Sequence, residues 1–317
     1  MTQPQVETSR TAERERADVG LCAVLLGVKD DQPEVLALED AHGGLAIAHG
    51  AIDDIDTTLE RALRRMVERT VGAHLAYVEQ LYTFGDRGRD PQRRALTIAY
   101  LALVRREIAP ARHRSQWLPC YQLFPWEDFR AGRPEQIDRL IVPALRSWAK
   151  DDPRRGLRAD ITFGLSGSAW DPHRVLERYE LLYEVGLVDE ARRDAQQRGN
   201  QLPSASEIAL GRPMALDHRR IVATALGRVR GKLSYRPVVF EMLPSEFTLS
   251  QLQRLVEALA GFTLHTPNFR RLVSAAGLVE PTGHHRPTGG RPAELFRFRG
   301  DVLRERPTPG VGLPGAR

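Results

Sequence analysis

The residues of this chain best suited to chemistry are two adjacent arginines in its last quarter. Arg270 and Arg271 follow Asn268, and all three are side-chain types that bind phosphate oxygens and base edges. Arginine can bond guanine O6 and N7 together, and asparagine can bond adenine N6 and N7. The spacing therefore predicts recognition of double-stranded DNA. For Asn268, capping within the second turn of a helix is an equally good interpretation.

Two short helices must position these side chains. Thr248 is the expected N-cap of the first, which ends at Gly261. Thr266 is the expected N-cap of the second, with Pro267 at its first helical position and Gly277 just past its end. The apolar positions that recur at helical spacing are Leu249, Leu252, Leu255, Val256, Leu259, Phe269, Leu272 and Val273. The arginines then face outward near the helix end that a recognition helix inserts into the major groove.

A two-stranded wing is predicted to follow the second helix. Residues 278–280 and 293–298 have strand-like patterns, and residues 281–290 are predicted to form the loop between them. Arg286 lies in this loop, and Arg291 follows two glycines that allow the backbone to approach a phosphate closely. We therefore add Thr266, Arg286 and Arg291 to the expected DNA-binding residues, while solvation is the simpler role for His284 and His285.

The charge distribution agrees with a DNA-binding segment. The net charge is +5, but residues 217–317 hold 16 Lys and Arg against 8 Asp and Glu, which makes this segment +8. Residues 1–216 hold 30 Lys and Arg against 33 Asp and Glu, so their net charge is −3. Attraction to phosphates supplies much of nucleic-acid affinity, so this asymmetry favours a DNA-binding module joined to a neutral regulatory one. Surface arginines that are merely solvated are the alternative.

Composition limits the other classes of function. Cys22 and Cys120 are the only cysteines, residues 1–18 are polar, and no apolar run reaches membrane-spanning length. A cytoplasmic protein without a membrane segment is therefore expected. The histidines are scattered, with neither the Cys/His spacing of a zinc site nor a Ser/His/Asp set. No metal site, required cofactor or catalytic residue is predicted.

The chain divides into five predicted segments. Strand-like runs at 19–28, 34–38 and 97–104 and a helix-like run at 57–71 indicate an α/β block, whereas residues 137–148 and 175–188 have helical spacing. Asp217 is the expected cap of a helix that leads into the C-terminal domain. The predicted segments are a disordered tail at 1–18, the α/β domain at 19–109, a mainly helical extension at 110–213, the winged domain at 214–300 and a flexible tail at 301–317.

Residues 50–71 resemble a Nudix box, the loop-helix-loop in which carboxylates gather a divalent metal. Gly50, Arg64 and Glu68 fit the box, and Asp56 stands where the upstream glutamate belongs. Three positions depart from the pattern: Arg65 and Arg69 replace glutamates, and Val71 replaces the closing glycine.

The chemistry of the box depends on its carboxylates. Mg²⁺ requires hard oxygen ligands, and an arginine in a ligand's place cannot lose its charge. We therefore predict little or no metal-dependent hydrolysis. Arginines can still hold a diphosphate by bidentate hydrogen bonds. The residues predicted to face an effector are Arg64, Arg65, Glu68, Arg69, Arg89 and Arg94.

With the box and the helix pair, five segments extend this resemblance to a whole family. Residues 78–94, 216–218, 235–253, 268–271 and 290–295 occur in the order seen in the Nudix-related transcriptional regulators of NAD metabolism, called NrtR. The resemblance covers residues 19–104 and 214–299. It implies an α+β multidomain fold: an N-terminal Nudix-like α/β/α sandwich, a helical extension, and a C-terminal winged helix-turn-helix.

The same resemblance implies the function. A protein with this resemblance is expected to be a homodimeric repressor of NAD biosynthesis genes. It is expected to bind operator DNA and to sense an NAD-related nucleotide. The long extension is similar to that of the NadQ regulators, so the effector is left open among ADP-ribose, NAD and ATP. Effector binding is expected to favour one orientation of the winged domains, and only one orientation fits half-sites about one helical turn apart.

Two other functions remain as alternatives. The first is an active Nudix hydrolase of ADP-ribose or NADH with an accessory basic domain, which needs the carboxylates that Arg65 and Arg69 displace. The second is a helical protein that only mediates interactions, for which the basic segment is incidental. Strong salt dependence of DNA binding argues against the second.

Overall fold

The computed structural model describes residues 17–40, 43–86, 89, 94–106, 115–199, 209–234, 236–287, 289–290 and 292–305. Strands dominate the first third, helices the middle, and a helix pair with a hairpin the end. None of the described helices has both the length and the apolar character needed to cross a membrane.

The strands form a mixed sheet and a separate hairpin. The seven-stranded sheet runs β3-β2-β1-β6-β5, with β4 also paired to β1 and β7 to β2. Its centre is the parallel pair β1 and β6, and the other pairs are antiparallel. The strands are β1 Asp18–Lys29, β2 Gln32–Glu39, β3 Leu45–Ala46, β4 Ala48–Ala51, β5 Tyr77–Phe84, β6 Ala95–Leu103, β7 Ser115–Pro119, β8 Val279–Arg286 and β9 Ala293–Phe298.

The helices are α1 Leu59–Val71, α2 Cys120–Leu123, α3 Val142–Trp148, α4 Pro153–Phe163, α5 Val175–Val185, α6 Asp189–Arg198, α7 His218–Leu233, α8 Leu249–Ala260, α9 Thr266–Ala276 and α10 Val302–Glu305. A 3₁₀ turn at Pro125–Glu127, a π-helical turn at Ile137–Ile141 and a 3₁₀ helix at Val238–Met242 join them.

Both faces of the sheet are buried, which explains the unbroken apolar run of β1. Successive side chains of a strand point to opposite faces. Leu21 and Leu25 pack with the buried face of α1, which includes Leu63 and Val67. On the opposite face, Val24 belongs to a core that continues through α5, α7 and α8 into the C-terminal helix pair. The sheet and the C-terminal helix pair therefore share one apolar core.

The predicted fold class is confirmed, while several boundaries differ. Strand β7 lies beyond the predicted domain end at residue 109 and pairs with β2, because Leu118 packs into the core of the sheet. Strand β8 runs to Arg286, so most of the predicted wing loop is strand. The predicted tails fall mostly outside the described residues, but residue 18 begins β1 and residues 302–305 form α10.

One capping prediction is wrong, and a second is right in position but lacks the side-chain bond. Thr266 is the first residue of α9 instead of its N-cap; His265 takes the N-cap position without a side-chain hydrogen bond. Asp217 stands at the N-cap of α7, but its side chain makes no cap bond because its carboxylate pairs with Arg89. The predicted caps Thr248, Gly261 and Gly277 are confirmed, and Thr248 and Gln251 form a complete capping box.

Candidate nucleic-acid interface

The turn between α8 and α9 is held by two side chains of α8. Gln253 Nε2 donates to Leu264 O at 3.0 Å and to Thr266 Oγ1 at 3.1 Å. Glu257 Oε1 accepts from Leu264 N at 2.8 Å and from Gln253 Nε2 at 2.9 Å. These bonds satisfy backbone groups of the turn and link it to the start of α9, so the angle between the two helices is set by polar contacts as well as packing.

Helix α9 buries one face and exposes the predicted DNA-binding residues on the other. Phe269 and Val273 lie in the core. Arg270 and Arg271 are exposed, and Arg271 Nη2 donates to Asn268 Oδ1 at 2.8 Å. Asn268 thus orients Arg271 through its side chain, which is a third role beside the base contact and backbone cap considered from sequence.

A cleft separates α9 from the wing. It has a volume of about 850 Å³ and is lined by the start of α8, Arg270, His285 and the beginning of β9. Arg286 is exposed at the end of β8, paired in register with Ala293. The structure therefore places Arg270 and the loop end of the wing around one opening. Arg291 lies outside the described residues.

The wing is attached to the helix pair at several points. Phe247 and Phe296 exchange backbone hydrogen bonds of 2.9 and 2.8 Å and form an isolated β-bridge to β9. His284 Nδ1 lies 3.0 Å from Glu246 Oε1, and Arg299 Nε donates to Gly277 O at 3.0 Å. His284 therefore has a partner within the domain, beyond the solvated role expected.

The C-terminal end of α8 is bound by residues from the middle of the chain. Tyr121 OH donates to Ala258 O at 2.6 Å, Arg230 Nε donates to Leu259 O at 3.0 Å, and Phe129 N donates to Gly261 O at 2.6 Å. The last carbonyls of a helix have no partner within it, so these donors satisfy groups that would otherwise be orphaned. They also join the helix pair to the rest of the molecule.

A buried carboxylate lies behind this attachment. Glu127 is 1% exposed and bonds Arg178 Nε at 2.5 Å and Arg230 Nη1 at 2.5 Å, and both arginines are buried. Burial alone raises the pKa of Glu127, but the two guanidinium groups outweigh it and hold that pKa below its ordinary value. Glu127, Arg178 and Arg230 thus join the turn at Pro125–Glu127 to α5 and α7 at one point.

In the box-like segment, Arg65 is neutralised by carboxylates of the preceding loop. Its Nε donates to Asp56 Oδ1 at 2.9 Å, and its Nη1 lies 2.7 Å from Asp53 Oδ2. The hydrogen bond from Arg65 holds the pKa of Asp56 below its ordinary value. A guanidinium thus occupies the position between carboxylates that a cation takes in a metal site.

The other predicted effector residues occupy two places. On α1, Arg64 pairs with Glu60 at 2.8 Å and bonds Leu75 O, Arg69 lies 3.6 Å from Asp53, and Glu68 lies 3.8 Å from His74. Away from α1, Arg89 forms a bidentate pair with Asp217 at 2.9 and 2.6 Å, and Arg94 Nη1 donates to Gly85 O at 2.6 Å. Among the described residues, no group of three or more His, Cys, Asp or Glu side chains is placed so that it could hold a metal ion.

Arg89 differs most from its predicted role. Its side chain is 5% exposed, and its guanidinium group is paired with the Asp217 carboxylate. His218, which follows Asp217 in the chain, is buried against the sheet. The Ile47 N–H donates to its Nδ1 at 3.3 Å. Burial lowers the pKa of His218 to about 3. The segment at 216–218 therefore clamps α7 to the sheet, and Arg89 belongs to that clamp.

Sequence reasoning missed the residues that hold the interface in place: Gln253, Glu257, Tyr121, Glu127 and Arg230. One signal was available for Gln253, which interrupts a helix face that is otherwise apolar and is 8% exposed. Tyr121, Glu127 and Arg230 act through contacts more than a hundred residues apart, such as Arg230 with Glu127 and Tyr121 with Ala258. Local spacing carries no record of such pairs.

Comparison with known proteins agrees with this architecture. Residues 239–298 match the model of the NrtR DNA-binding winged helix domain. A curated relative, the ADPR responsive transcriptional repressor NtrR of Acinetobacter baylyi, is 36% identical over 92 residues, which is 29% of this chain and 37% of the relative. The match thus spans little more than a third of that relative's length.

Two solved structures share the fold over most of the chain. The structure of Shewanella oneidensis NrtR complexed with a 27mer DNA has a TM-score of 0.57 at 22% identity, covering 90% of this chain and 95% of that one. A MutT/nudix family protein from Enterococcus faecalis has a TM-score of 0.53 at 16% identity, covering 92% and 90%. At these identities the likeness is one of fold: a Nudix-like sheet domain followed by a winged helix domain.

Proposed function

We propose that this chain, whose residues 239–298 belong to the NrtR winged helix DNA-binding domain family, is a transcriptional repressor regulated by a nucleotide. The winged domain binds operator DNA as part of a homodimer, and the Nudix-like domain binds the effector. Genes of NAD biosynthesis are the proposed targets.

The observation that carries the proposal is the exposed face of α9. Arg270 and Arg271 stand on the side opposite the buried Phe269 and Val273, and Arg271 is oriented by Asn268. The turn bonds of Gln253 and Glu257 and the wing contacts fix this helix on its domain. A rigid helix that presents paired cations beside a wing has the geometry needed to enter the major groove while the wing contacts the backbone.

For the effector we propose ADP-ribose, because the curated relative is named as ADPR responsive. The candidate residues are Arg64, Glu68 and Arg69 on α1, together with Arg94. Arg65 and Arg89 are paired with carboxylates, so binding a phosphate through either would first require breaking a bidentate ion pair. We assign these two to the structure of the domain.

We also propose that the chain is not a hydrolase. Arg65 places positive charge between Asp53 and Asp56, where Mg²⁺ would need free carboxylate oxygens. Incubation of the chain with ADP-ribose and Mg²⁺ should release no AMP. Turnover that is lost on Glu68→Gln would instead support the alternative, an active Nudix enzyme.

The DNA-binding surface is tested by fluorescence anisotropy. A duplex is selected from a random pool by the wild-type chain, and its Kd is measured for wild type, Arg270→Ala and Arg271→Ala at several salt concentrations. We expect each substitution to weaken binding about ten-fold or more. A phosphate contact lowers the salt slope by about one, whereas a guanine contact costs about 1 to 3 kcal/mol and relaxes one position of the site.

The matched control is Arg139→Ala. Arg139 is 77% exposed in the helical extension and carries the same charge. Its replacement should leave the Kd of the duplex unchanged. Equal Kd values for Arg270→Ala, Arg271→Ala and wild type would remove α9 from the interface.

A further inference from the structure

A second cleft lies at the junction of the sheet, α7 and the winged domain. It has a volume of about 660 Å³. The end of the sheet contributes Tyr77 and Arg105, the end of α7 and the following turn contribute Lys232 and Arg236, and the winged domain contributes Arg297 and Phe298. It is distinct from the box helix α1 and from the cleft beside Arg270.

The cleft has more positive charge than its own carboxylates neutralise. Lys232 pairs with Glu79 at 2.9 Å, and Arg297 pairs with Glu280 at 2.6 Å. Within the described part of the chain, Arg105 and Arg236 form no ion pair, although both are exposed and line the opening. Two guanidinium groups are therefore available to an anion, with Glu241 as the one acidic residue among the described lining residues.

One wall of the cleft is apolar. The rings of Phe240 and Phe298 stack at 4.5 Å between centroids, and Phe247 packs against Phe240 at 5.6 Å. Pro237 and Leu243 extend this wall. An occupant that satisfies both halves needs an anionic group for the arginines and a flat or apolar body for the phenylalanine wall. A purely inorganic anion would leave the apolar half unused.

We infer that this junction is a second ligand site, which binds an organic phosphate of the nucleotide type through Arg105 and Arg236. Its phosphates lie against the two guanidinium groups, which favour bidentate bonds to phosphate oxygens. Its ring system lies against Phe240, Pro237 and Leu243.

Such a ligand would connect three parts of the molecule. Arg105 follows the end of β6, Arg236 follows the end of α7, and Phe240 contacts Phe298 of the wing strand β9. A bound phosphate would therefore favour the relative position of the sheet and the winged domain seen in this structure. This site is separate from the proposed effector site on α1. A ligand bound here would affect DNA binding by the winged domain independently of that effector.

The test uses ADP as the probe and isothermal titration calorimetry of the full chain without DNA. Wild type, the double variant Arg105→Ala/Arg236→Ala and the control Arg139→Ala are compared, with adenosine and inorganic pyrophosphate as further titrants. We expect the double variant to lose one ADP-binding step, or to bind at that step at least ten-fold more weakly. Arg139→Ala should behave as wild type, and adenosine and pyrophosphate should each bind at that step at least ten-fold more weakly than ADP.

An ADP isotherm unchanged in the double variant would overturn the inference, as would pyrophosphate binding as tightly as ADP. Since the side chains of Arg105, Arg139 and Arg236 are all exposed, thermal unfolding should show that the variants are folded. The outcome is independent of the proposed function: loss of DNA binding on Arg270→Ala is measured with no nucleotide present, so either result can fail without the other.

Discussion

Arginine has three tasks in this chain, and burial separates them. Arg270 and Arg271 are exposed and can reach DNA. Arg65 is partly buried and cancels the charge of two loop carboxylates. Arg178 and Arg230 are buried and share Glu127, where planar guanidinium groups supply several donors in a fixed geometry. The same residue type therefore supplies the proposed DNA contacts, neutralises loop carboxylates and holds the interior together.

The buried His218 makes the stability of the protein depend on pH. Burial, followed by electrostatic interaction with His49 and Arg89, lowers its pKa from the ordinary 6.5 to about 3. Between these values the unfolded chain binds a proton that the folded chain does not. The contribution of His218 to stability is therefore lost as pH falls below about 6.5, by at most about 1.4 kcal/mol per pH unit.

We predict that His218→Asn reduces this dependence, because Asn can still accept from Ile47 N–H without taking up a proton. Urea unfolding at pH 7, 6 and 5 measures the free energy of unfolding for both proteins. The wild type should lose about 1 to 2 kcal/mol more than the variant over this range. Parallel pH profiles would show that His218 stays neutral in the unfolded chain or is charged when folded.

The two ends of α8 fix the position of α9. Its start is fixed by the capping box of Thr248 and Gln251, and its end turns at Gly261, whose φ is 81°. A Cβ at Gly261 would stand 2.5 Å from Glu127 O and 2.6 Å from Arg230 Nη2. Glycine is required there both by the left-handed conformation and by the backbone that approaches it.

Gly261→Ala should therefore destabilise the protein more than left-handed conformation alone explains. Gly283 of the wing is the matched control, since its φ is 80° and nothing lies within 4 Å of an added Cβ. We expect Gly283→Ala to cost about 1 to 2 kcal/mol and Gly261→Ala at least about 2 kcal/mol more. Denaturant unfolding measures both, and equal costs would contradict the crowding at Gly261.

Elements with strong local patterns could be predicted from the sequence, and the contacts between distant segments could not. The spacing of Leu252, Val256 and Leu259 predicts α8, and alternation predicts β9 at its observed bounds. Strand β7 was missed because it is short and only Leu118 within it is fully buried. The sequence does not predict the ion pair between Arg89 and Asp217, because the two residues lie 128 positions apart and local spacing cannot reveal such a pair.

One buried ion cluster joins the turn at Pro125–Glu127 to the helices α5, α7 and α8. Glu127 receives Arg178 from α5 and Arg230 from α7, and Arg230 also holds Leu259 O of α8. The helical extension thus lies between the sheet and helices α8 and α9 and contacts both. We propose that a change in the position of the sheet domain reaches α9 by this route.

Glu127→Gln should leave two buried guanidinium groups without their carboxylate, at a cost of about 3 to 5 kcal/mol. Glu135→Gln is the control, because Glu135 is 81% exposed and pairs only with Arg139 at 3.1 Å. It should change the free energy of unfolding by less than about 1 kcal/mol. Hydrogen exchange should also become faster at the last turn of α8 in Glu127→Gln, and an unchanged rate there would argue against this route.

We propose that nucleotide binding in the sheet domain controls DNA binding by α9. The most direct measurement is the Kd of the selected duplex in the absence and presence of saturating ADP-ribose, with the ADP-ribose Kd measured with and without duplex. Linkage requires the two ratios to be equal, and we predict a factor of roughly 5 to 150. A duplex Kd that is the same with and without ADP-ribose would contradict the claim.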